Sequence, residues 1–377
     1  MDVSVLHAHD ELDALLPDWT QLYEAADVAN PFADPRWLTV WARHYAGDAR
    51  LETIAVRDDG ELVAVAPFYR DAGRVERLRL LGSVDRRQLN ELPQILTAPS
   101  ATRDALRAIF HHLGPRGGDF DWADFVLAPG QGWTQPEWFD LDGSAAFSVH
   151  RGTRACVVLP LADSWDELRG GLKRNVKESI RRSTNRVTRE GHEFEVMDEY
   201  DSPAALREAI TELRRLHRAR SEITGTVGHP DYFADGANVD FLEDVAKRTF
   251  GTGLVRPVLL TVDGEPVAAR LVLRSNGALF FSISGFDPAW WDYGPLTLLD
   301  AESLKAAIGR GDRLANLSIG PDTSKLRWSE QLELHQDFVL VGSRRRARAL
   351  FTAWAAASAV KEISENRRRA RSRRAAS

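Results

Sequence analysis

The sequence is poor in sulfur-containing residues, with one cysteine and two methionines among 377 residues. A single cysteine, Cys156, excludes an intramolecular disulfide and any zinc site built from several cysteines. It lies in the apolar run Ala155–Leu161, which predicts a buried and inert thiol. The ten histidines form no HExxH pattern. We therefore predict that the protein uses no metal.

The chain also lacks an apolar run of the roughly 20 residues needed to cross a bilayer. Its first residues, Met1-Asp2-Val3-Ser4, do not have the basic-then-apolar layout of a signal peptide. We therefore expect no membrane span and a cytoplasmic location. The length and the 44% hydrophobic content suffice for two domains, each with its own core. No pattern in the sequence predicts an oligomeric state.

Charge is distributed unevenly along the chain, whose net charge is −6. Residues 344–374 hold eleven basic and two acidic side chains, a local charge of +9 that leaves −15 elsewhere. Apolar spacing predicts a helix over Ala347–Ile363, whereas Asn366–Ser377 has the composition of a disordered tail. Two interpretations stay open. The segment is either a solvated helix with a solubilising tail or a basic region that attracts a polyanion such as tRNA.

Three consecutive strands are predicted in the C-terminal half of the chain. Two β-rich apolar segments, Leu254–Val262 and Glu265–Arg274, are joined by Asp263-Gly264, a pair that tolerates the positive φ of a tight hairpin. Asn276-Gly277 supplies a second turn, and a third strand follows at Ala278–Ser284. The three strands are expected to be antiparallel because the turns between them are so short.

A polar loop connects the third strand to a helix predicted over Leu296–Ile308, for which Pro295 suits the first position. The loop contains Gly285-Phe286-Asp287-Pro288 and Asp292-Tyr293-Gly294-Pro295. A strand that feeds a helix N-terminus through such a loop presents free N–H groups and the positive end of the helix dipole, which favours a phosphate or pyrophosphate. An ordinary strand-to-helix connection would have the same pattern, so the pattern alone leaves both interpretations open.

The N-terminal half has a similar order of predicted elements. They are a strand at Val3–His7, a helix at Glu11–Ala26 capped by Asp10, a helix starting at Asp34-Pro35, a hairpin over Leu51–Tyr69, an apolar segment at Leu78–Leu81, a helix at Thr102–Leu113 and a strand at Asp121–Leu127.

The two hairpins also share a sequence. Asp59–Ala64 reads DGELVA and Asp263–Ala268 reads DGEPVA, each after an alternating strand and two predicted helices, which indicates a duplication. We predict an N-terminal domain over 1–150, a C-terminal domain over 151–343 and a basic helix and tail over 344–377. The boundary should lie near Gly143–Arg154, after the loop around Trp133–Trp138.

Two helices are predicted before the second hairpin. The first, Trp165–Arg189, has a narrow apolar stripe, and its remaining surface is basic through Lys173, Arg174, Lys177, Arg181, Arg182, Arg186 and Arg189. That surface is either a solvated face or a cationic wall for the phosphates of a cofactor, a nucleotide sugar or tRNA. The second, Pro203–Arg220, carries His217, which is either a general base or a packing residue.

Several motifs along the chain resemble one family when they are taken in order. They are Asn30-Pro31-Phe32-x-x-Pro35-x-Trp37, Trp165-x-x-Leu168, Leu216-His217-x-x-Arg220, Gly285-Phe286-Asp287-Pro288-x-Trp290, Gly294-Pro295-Leu296 and Gly320-x-x-x-x-Lys325-x-x-Trp328. This arrangement is similar to the CelD-like and FemAB-like branch of the GNAT acyltransferase superfamily. The resemblance implies an α/β fold of two tandem GNAT-like domains, each a mixed, mainly antiparallel sheet flanked by helices.

The resemblance also implies a reaction, the transfer of an acyl or aminoacyl group from a thioester or ester carrier to an amine. Such a reaction needs a cradle for the donor, a base for the attacking ammonium and a positive group for the developing oxyanion. Lys325 matches the lysine of a Tyr-Lys segment in related domains, although Ser324 replaces the tyrosine. The usual pyrophosphate loop of the superfamily, an Arg or Gln followed by Gly-x-Gly or Gly-x-Ala, is replaced by Gly294-Pro295-Leu296.

The residues expected in the site fall into three groups. Candidates for the chemistry are Lys325 as the positive group, Asp287, Asp292 and His217 as bases, and Tyr293 as a proton donor to the leaving group. Candidates for donor binding are Gly294, Pro295, Leu296, Lys173 and Arg174. Candidates for substrate binding are Arg220, Trp290 and Asp292.

Three functions are consistent with these observations. The one we expect is an N-acyltransferase that moves an acyl group from acyl-CoA, or a related thioester carrier, to an amine of a small molecule or a cell-envelope precursor. The first alternative is a FemAB-type enzyme that uses aminoacyl-tRNA. The second is a non-catalytic ligand- or nucleic-acid-binding protein of the same fold. A catalytic role requires the candidate residues to meet in one pocket, whereas packing roles would leave them apart.

Overall fold

The computed structural model describes residues 1–47, 49–71, 73, 75–83, 89–114, 119–131, 147–224 and 228–358. The loop around Trp133–Trp138, part of the expected boundary near Gly143–Arg154, and the tail Asn366–Ser377 lie outside these residues.

The first half of the chain contributes six strands and three helices within the described ranges. These are β1 (Asp2–Leu6), α1 (His9–Ala25), α2 (Pro35–Trp41), β2 (Arg50–Asp58), β3 (Glu61–Asp71), β4 (Arg77–Leu80), β5 (Leu96–Thr97), α3 (Thr102–Leu113) and β6 (Trp122–Leu127).

The second half contributes the remaining elements. These are β7 (Phe147–Pro160), α4 (Trp165–Gly171), α5 (Arg174–Arg189), β8 (Phe194–Met197), α6 (Pro203–Ser221), α7 (Gly236–Arg248), β9 (Val255–Val262), β10 (Glu265–Ser275), β11 (Ala278–Phe286), α8 (Pro295–Gly309), β12 (Leu314–Ile319), α9 (Thr323–Leu326) and β13 (Leu332–Val341), followed by a terminal helix described over 345–358.

The strands form one sheet in the order β1-β2-β3-β4-β6-β13-β7-β12-β11-β10-β9-β8, with β5 paired to β3. Two pairs, β4 with β6 and β11 with β12, are parallel, and the others are antiparallel. The order is nearly symmetric about its centre, where β13 lies between β6 and β7. The strand β13, the last one in the described ranges, thus joins the N-terminal half of the sheet. The predicted fold class, a mixed and mainly antiparallel sheet flanked by helices, is confirmed.

Helices cover both faces of the sheet. On one face, α1, α2, α6 and α7 share a single core that crosses from one half to the other. On the opposite face, α5 and α8 pack on the second half, and α3 packs on the first. The terminal helix packs Phe351 against Trp122 of β6. No helix in the described ranges is long and apolar enough to cross a bilayer.

The turns of the two similar hairpins have the same backbone conformation. Asp59 and Gly60 have φ of 48° and 86°, and Asp263 and Gly264 have φ of 51° and 86°. Two successive positive φ values define the type I′ turn that joins twisted strands most readily. The Asp-Gly pairs therefore set both hairpins, as predicted.

Three local predictions were wrong or incomplete. The helix expected over Trp165–Arg189 is two helices, because Leu172 is extended (ψ 151°) after Gly170-Gly171. The first helix starts at His9 rather than after Asp10; the Glu11 carboxylate accepts from the N–H groups of His7 and Ala8 there. We did not predict β8, α7 or β13. The expected boundary at residue 150 falls within β7, and the division into domains stays a prediction.

Candidate functional site

The sheet opens between β11 and β12. Only Ala278–Phe280 of β11 pairs with Leu314–Asn316 of β12, although β11 continues to Phe286. The strand β12 also bulges between Asn316 and Ile319 in its pairing with β7. Ser318 in this bulge has a φ of 76°, which is unusual for a residue with a Cβ atom, and the Asn316 side chain accepts its N–H at 2.9 Å. Strained backbone of this kind is often found at functional sites.

A cavity of about 1310 Å³ occupies this opening. Its walls come from α6 and the loop after it, β11, the start of α8, the segment after β12, and residues 89–91 of the N-terminal half. Because α6 and α8 lie on opposite faces of the sheet, the cavity has walls from both faces at the gap.

Two glycines shape the walls. A Cβ atom on Gly285 would lie 2.1 Å from the His217 nitrogen, so α6 approaches β11 closely only because this residue is glycine. Gly294 has a φ of 62° and forms the N-cap of α8, with Pro295 at the first helical position as predicted. The Leu296 N–H has no hydrogen-bond acceptor among the residues described, so the helix start faces the cavity with a free donor.

Glu91 bridges the two diverging strands. One carboxylate oxygen accepts from the Ser282 hydroxyl of β11 at 3.3 Å. The other accepts from the Ser318 hydroxyl of β12 at 2.5 Å and from the Ile319 N–H at 3.4 Å. Burial raises the pKa of Glu91, while these hydrogen bonds and the nearby Lys325 charge lower it in part. Sequence reasoning missed Glu91, which stands in a loop without periodicity.

Lys325 lies in the same cavity, at the end of the segment that follows β12. Its ammonium donates to the carbonyl oxygens of Ile319 at 2.5 Å and Gly320 at 3.2 Å, and Asp322 is 3.6 Å away. An ammonium has three donors, and the third has no acceptor within hydrogen-bond distance in the described ranges. Lys325 can thus stabilise the loop and still offer a positive donor to the cavity.

His217 also borders the cavity, but backbone groups surround its ring. Nδ1 lies 2.9 Å from the Ser284 carbonyl oxygen. Nε2 lies 3.1 Å from the Pro230 carbonyl oxygen and 3.2 Å from the Tyr232 nitrogen. Burial lowers the pKa of this imidazole, which disfavours its charged form. These contacts tie β11 to the loop after α6.

The structure separates the residues expected from the sequence. Lys325, His217, Arg220, Gly294, Pro295 and Leu296 line the cavity. Asp287 caps the 3₁₀ turn that starts at Pro288, and with Trp290 it borders a separate, shallower pocket of about 710 Å³. The remaining candidates, Tyr293, Asp292, Lys173 and Arg174, do not line the cavity.

These four residues lie on or beside α5. The Tyr293 hydroxyl contacts the Glu190 carboxylate, and the exposed Asp292 contributes its carbonyl oxygen to Arg186 at 2.8 Å. Lys173 donates to the Leu326 carbonyl oxygen at 2.8 Å and to Glu330 at 2.5 Å. Arg174 is exposed at the start of α5.

No group of three or more His, Cys, Asp or Glu side chains in the described part of the chain could hold a metal ion. The arrangement in the cavity instead combines a carboxylate of raised pKa, an ammonium and a strand edge. These are the groups that proton removal from an amine and attack on an acyl carbonyl require.

The chain is similar to known proteins in sequence and in fold. Residues 174–330 match the family model described as an acetyltransferase (GNAT) domain. The solved structure of FemX is similar in fold, with a TM-score of 0.60, 12% identity, 94% of this chain and 99% of that chain covered. A conserved protein of unknown function from Bacteroides thetaiotaomicron VPI-5482 has a TM-score of 0.52 and 14% identity, with coverages of 90% and 100%. No curated protein matches the sequence significantly.

The matched segment contains α6, β11, α8 and β12, which contribute most of the cavity walls. Residues 174–330 therefore form a GNAT-type acetyltransferase domain, and the protein is an acyltransferase.

Proposed function

We propose that the protein transfers an acyl group from acyl-CoA, or a related thioester carrier, to an amine of a small molecule or a cell-envelope precursor. The observation that carries this proposal is the gap between β11 and β12, which opens beside the N-terminus of α8. A pantetheine arm is narrow and contains amide groups, so it can pair with a strand edge that has lost its neighbour. The start of α8 favours the phosphates at the other end of the donor.

In the proposed reaction, Glu91 accepts a proton from the ammonium of the acceptor. The free amine attacks the thioester carbonyl, a C–N bond forms, and the carbonyl oxygen gains negative charge. Lys325 stabilises this oxyanion through its remaining donor. The C–S bond then breaks, the nitrogen loses its second proton to the leaving thiolate, and an amide and a thiol are released, after which Glu91 returns its proton to solvent.

The arrangement around Glu91 supports its role as the base. An ammonium must lose its proton before it can attack, and a carboxylate of raised pKa is a better acceptor for that proton than an ordinary one. Ser282 and Ser318 fix the carboxylate between the two strands that would enclose the donor. The strained Ser318 backbone is consistent with this positioning.

Titration with acetyl-CoA, followed by measurement of thiol release with a panel of amines, tests the proposal. We expect acetyl-CoA to bind and amine-dependent thiol release to fall by about 10²-fold or more in Glu91→Gln, since a positioned base contributes about 10²–10⁴. Glu212→Gln, an acid on α6 paired with Arg215, is the matched control and should retain turnover. Absence of acetyl-CoA binding would contradict acyl-CoA as the donor, and full activity in Glu91→Gln would contradict Glu91 as the base.

A second candidate donor is aminoacyl-tRNA, and the basic surface of α5 favours it. Arg174, Arg181, Arg182 and Arg189 are exposed there, and only part of their charge is offset by Glu178 and Glu190. Binding of a polyanion to such a surface falls steeply with salt. A charged-tRNA mixture should then bind at low salt, and the binding should weaken when Lys173, Arg174 and Arg181 are neutralised. That result, together with no binding of acetyl-CoA, would favour aminoacyl-tRNA over a thioester as the donor.

A further inference from the structure

Three arginine side chains meet in the cavity around a single aspartate. This aspartate is Asp300, and Arg270 forms an ion pair with it: the Nε and NH2 atoms of Arg270 lie 2.6 and 3.1 Å from its two carboxylate oxygens. Arg220 and Arg327 also line the cavity, and Asp300 acts on both only from a longer distance. In the described ranges, no carboxylate oxygen lies within 4.0 Å of either guanidinium group.

The contacts of Arg220 and Arg327 are with neutral groups. The NH1 group of Arg220 donates to the Ser284 hydroxyl at 2.5 Å, and its NH2 group lies 2.9 Å from the His229 Nε2 atom. The NH2 group of Arg327 donates to the Thr297 hydroxyl at 2.9 Å. The Nε atom of Arg327 is buried and has no hydrogen-bond partner in the part of the chain that the structure describes.

Both guanidinium groups are half-buried, and the burial has an electrostatic cost. Desolvation lowers the pKa of Arg220 to about 10, with a further contribution from Arg270, and it also lowers the pKa of Arg327. A partly desolvated charge without a counterion destabilises a fold. Two such charges in one cavity are explained if a ligand supplies the missing negative charge.

We propose that Arg220 and Arg327 form an anion subsite that binds a phosphate or carboxylate group of a substrate inside the cavity. A guanidinium presents parallel N–H donors that match either anion in a bidentate pair. Arg270 and Asp300 neutralise each other, so the charges of Arg220 and Arg327 are left for a ligand. The inference rests on the proposed function only in taking this cavity as the place of reaction.

The subsite can be tested through ligand-dependent stability at constant ionic strength. Inorganic pyrophosphate and succinate are added separately to the full-length protein, with sodium chloride adjusted to keep the ionic strength equal. A ligand that binds only the folded state raises the melting temperature as its concentration exceeds its dissociation constant. We expect a rise for the wild type and its loss in both Arg220→Gln and Arg327→Gln.

Arg218→Gln is the matched control, since Arg218 lies on the same helix, is exposed and pairs with Glu222. It should keep the full ligand-induced rise. Arg220→Lys, which keeps the charge but not the bidentate geometry, should show a smaller rise than the wild type. Without ligand, Arg220→Gln should melt at the same temperature as the wild type or higher, because an uncompensated charge has been removed. A structural arginine would give a lower melting temperature instead.

The two probes distinguish the sources of the anion. A rise with pyrophosphate alone identifies a phosphate-bearing substrate, and a rise with succinate alone identifies a carboxylate-bearing one. No rise with either probe, or equal rises in the wild type and the two glutamine variants, would overturn the subsite. The result is independent of thiol release from acetyl-CoA, so the subsite and the proposed donor can fail separately.

Discussion

Among single residues, Glu91 offers the most direct test, because the pH dependence of the reaction should report its protonation state. Its pKa in the folded protein is raised by burial above the ordinary carboxyl value of 4.5. If Glu91 is the base, as proposed, it must be ionised to accept a proton, so we expect kcat/KM to fall as pH decreases through this raised pKa, with a one-proton slope. The acidic limb should disappear in the residual activity of Glu91→Gln. A limb that persists unchanged in this variant would assign the titration to another group.

The raised pKa of Glu91 also makes the stability of the folded protein decrease as pH rises. A carboxyl whose pKa is higher in the folded than in the unfolded chain favours folding at pH below the unfolded value and loses that contribution as pH rises through the folded value. At neutral pH, Glu91→Gln should therefore unfold at the same denaturant concentration as the wild type or a higher one. A clear loss of stability would mean that the ionised carboxylate is a structural partner of Ser282 and Ser318.

Lys325 is the second residue with a defined expectation. Replacing it by alanine removes the ammonium from the cavity and should lower turnover by about 10²–10³, as loss of an oxyanion donor does. Because Lys325 also holds the carbonyl groups of Ile319 and Gly320, folding should be checked by thermal melting. Lys325→Arg keeps a charge and should recover part of the activity. Near wild-type turnover in Lys325→Ala would remove it from the reaction.

At the scale of elements, turn chemistry and periodicity predicted the hairpins, the helix Thr102–Leu113 and the start of α8, because each is set by neighbours in the chain. The break between α4 and α5 was missed because basic helix formers on both sides outweighed Gly170-Gly171. Local motifs were enough to name Lys325 and Arg220, which the structure places in the cavity, as candidates. Glu91 was not a candidate, because its position depends on a loop of one half reaching strands of the other, a contact 227 residues away along the chain.

The close packing of α6 on β11 gives a prediction about an element. A methyl group on Gly285 would meet the backbone of Leu216 and His217 at 2.3 and 2.1 Å, and backbone cannot move aside cheaply. Gly285→Ala should therefore lower the free energy of unfolding by about 1–3 kcal/mol or more and displace the cavity wall. Gly309→Ala, with open space around the added carbon, is the control and should not destabilise. Equal denaturation midpoints for the two variants would contradict the close approach.

In the molecule as a whole, the two halves are joined through the sheet and through one hydrophobic core. The strand β13 pairs along its length with β7 and through Gln336–Val341 with β6. One core also joins the halves, with Phe32 against Phe280 at 4.8 Å and Trp37 against Phe241 at 4.9 Å between ring centroids. The sequence shows two similar halves but does not reveal that β13 joins the first half, because strand order is set by long-range pairing.

We therefore expect the halves to depend on each other. Expressed alone, residues 1–146 would leave β6 without its neighbour β13 and expose apolar faces of α1 and α2, so this fragment should aggregate or remain unfolded. Co-expression with residues 147–377 should restore a soluble complex, and the intact chain should unfold in a single transition seen alike by near- and far-ultraviolet circular dichroism. Two separate transitions, each matched by one isolated fragment, would show that the halves are independent and that β13 contributes little to the N-terminal half.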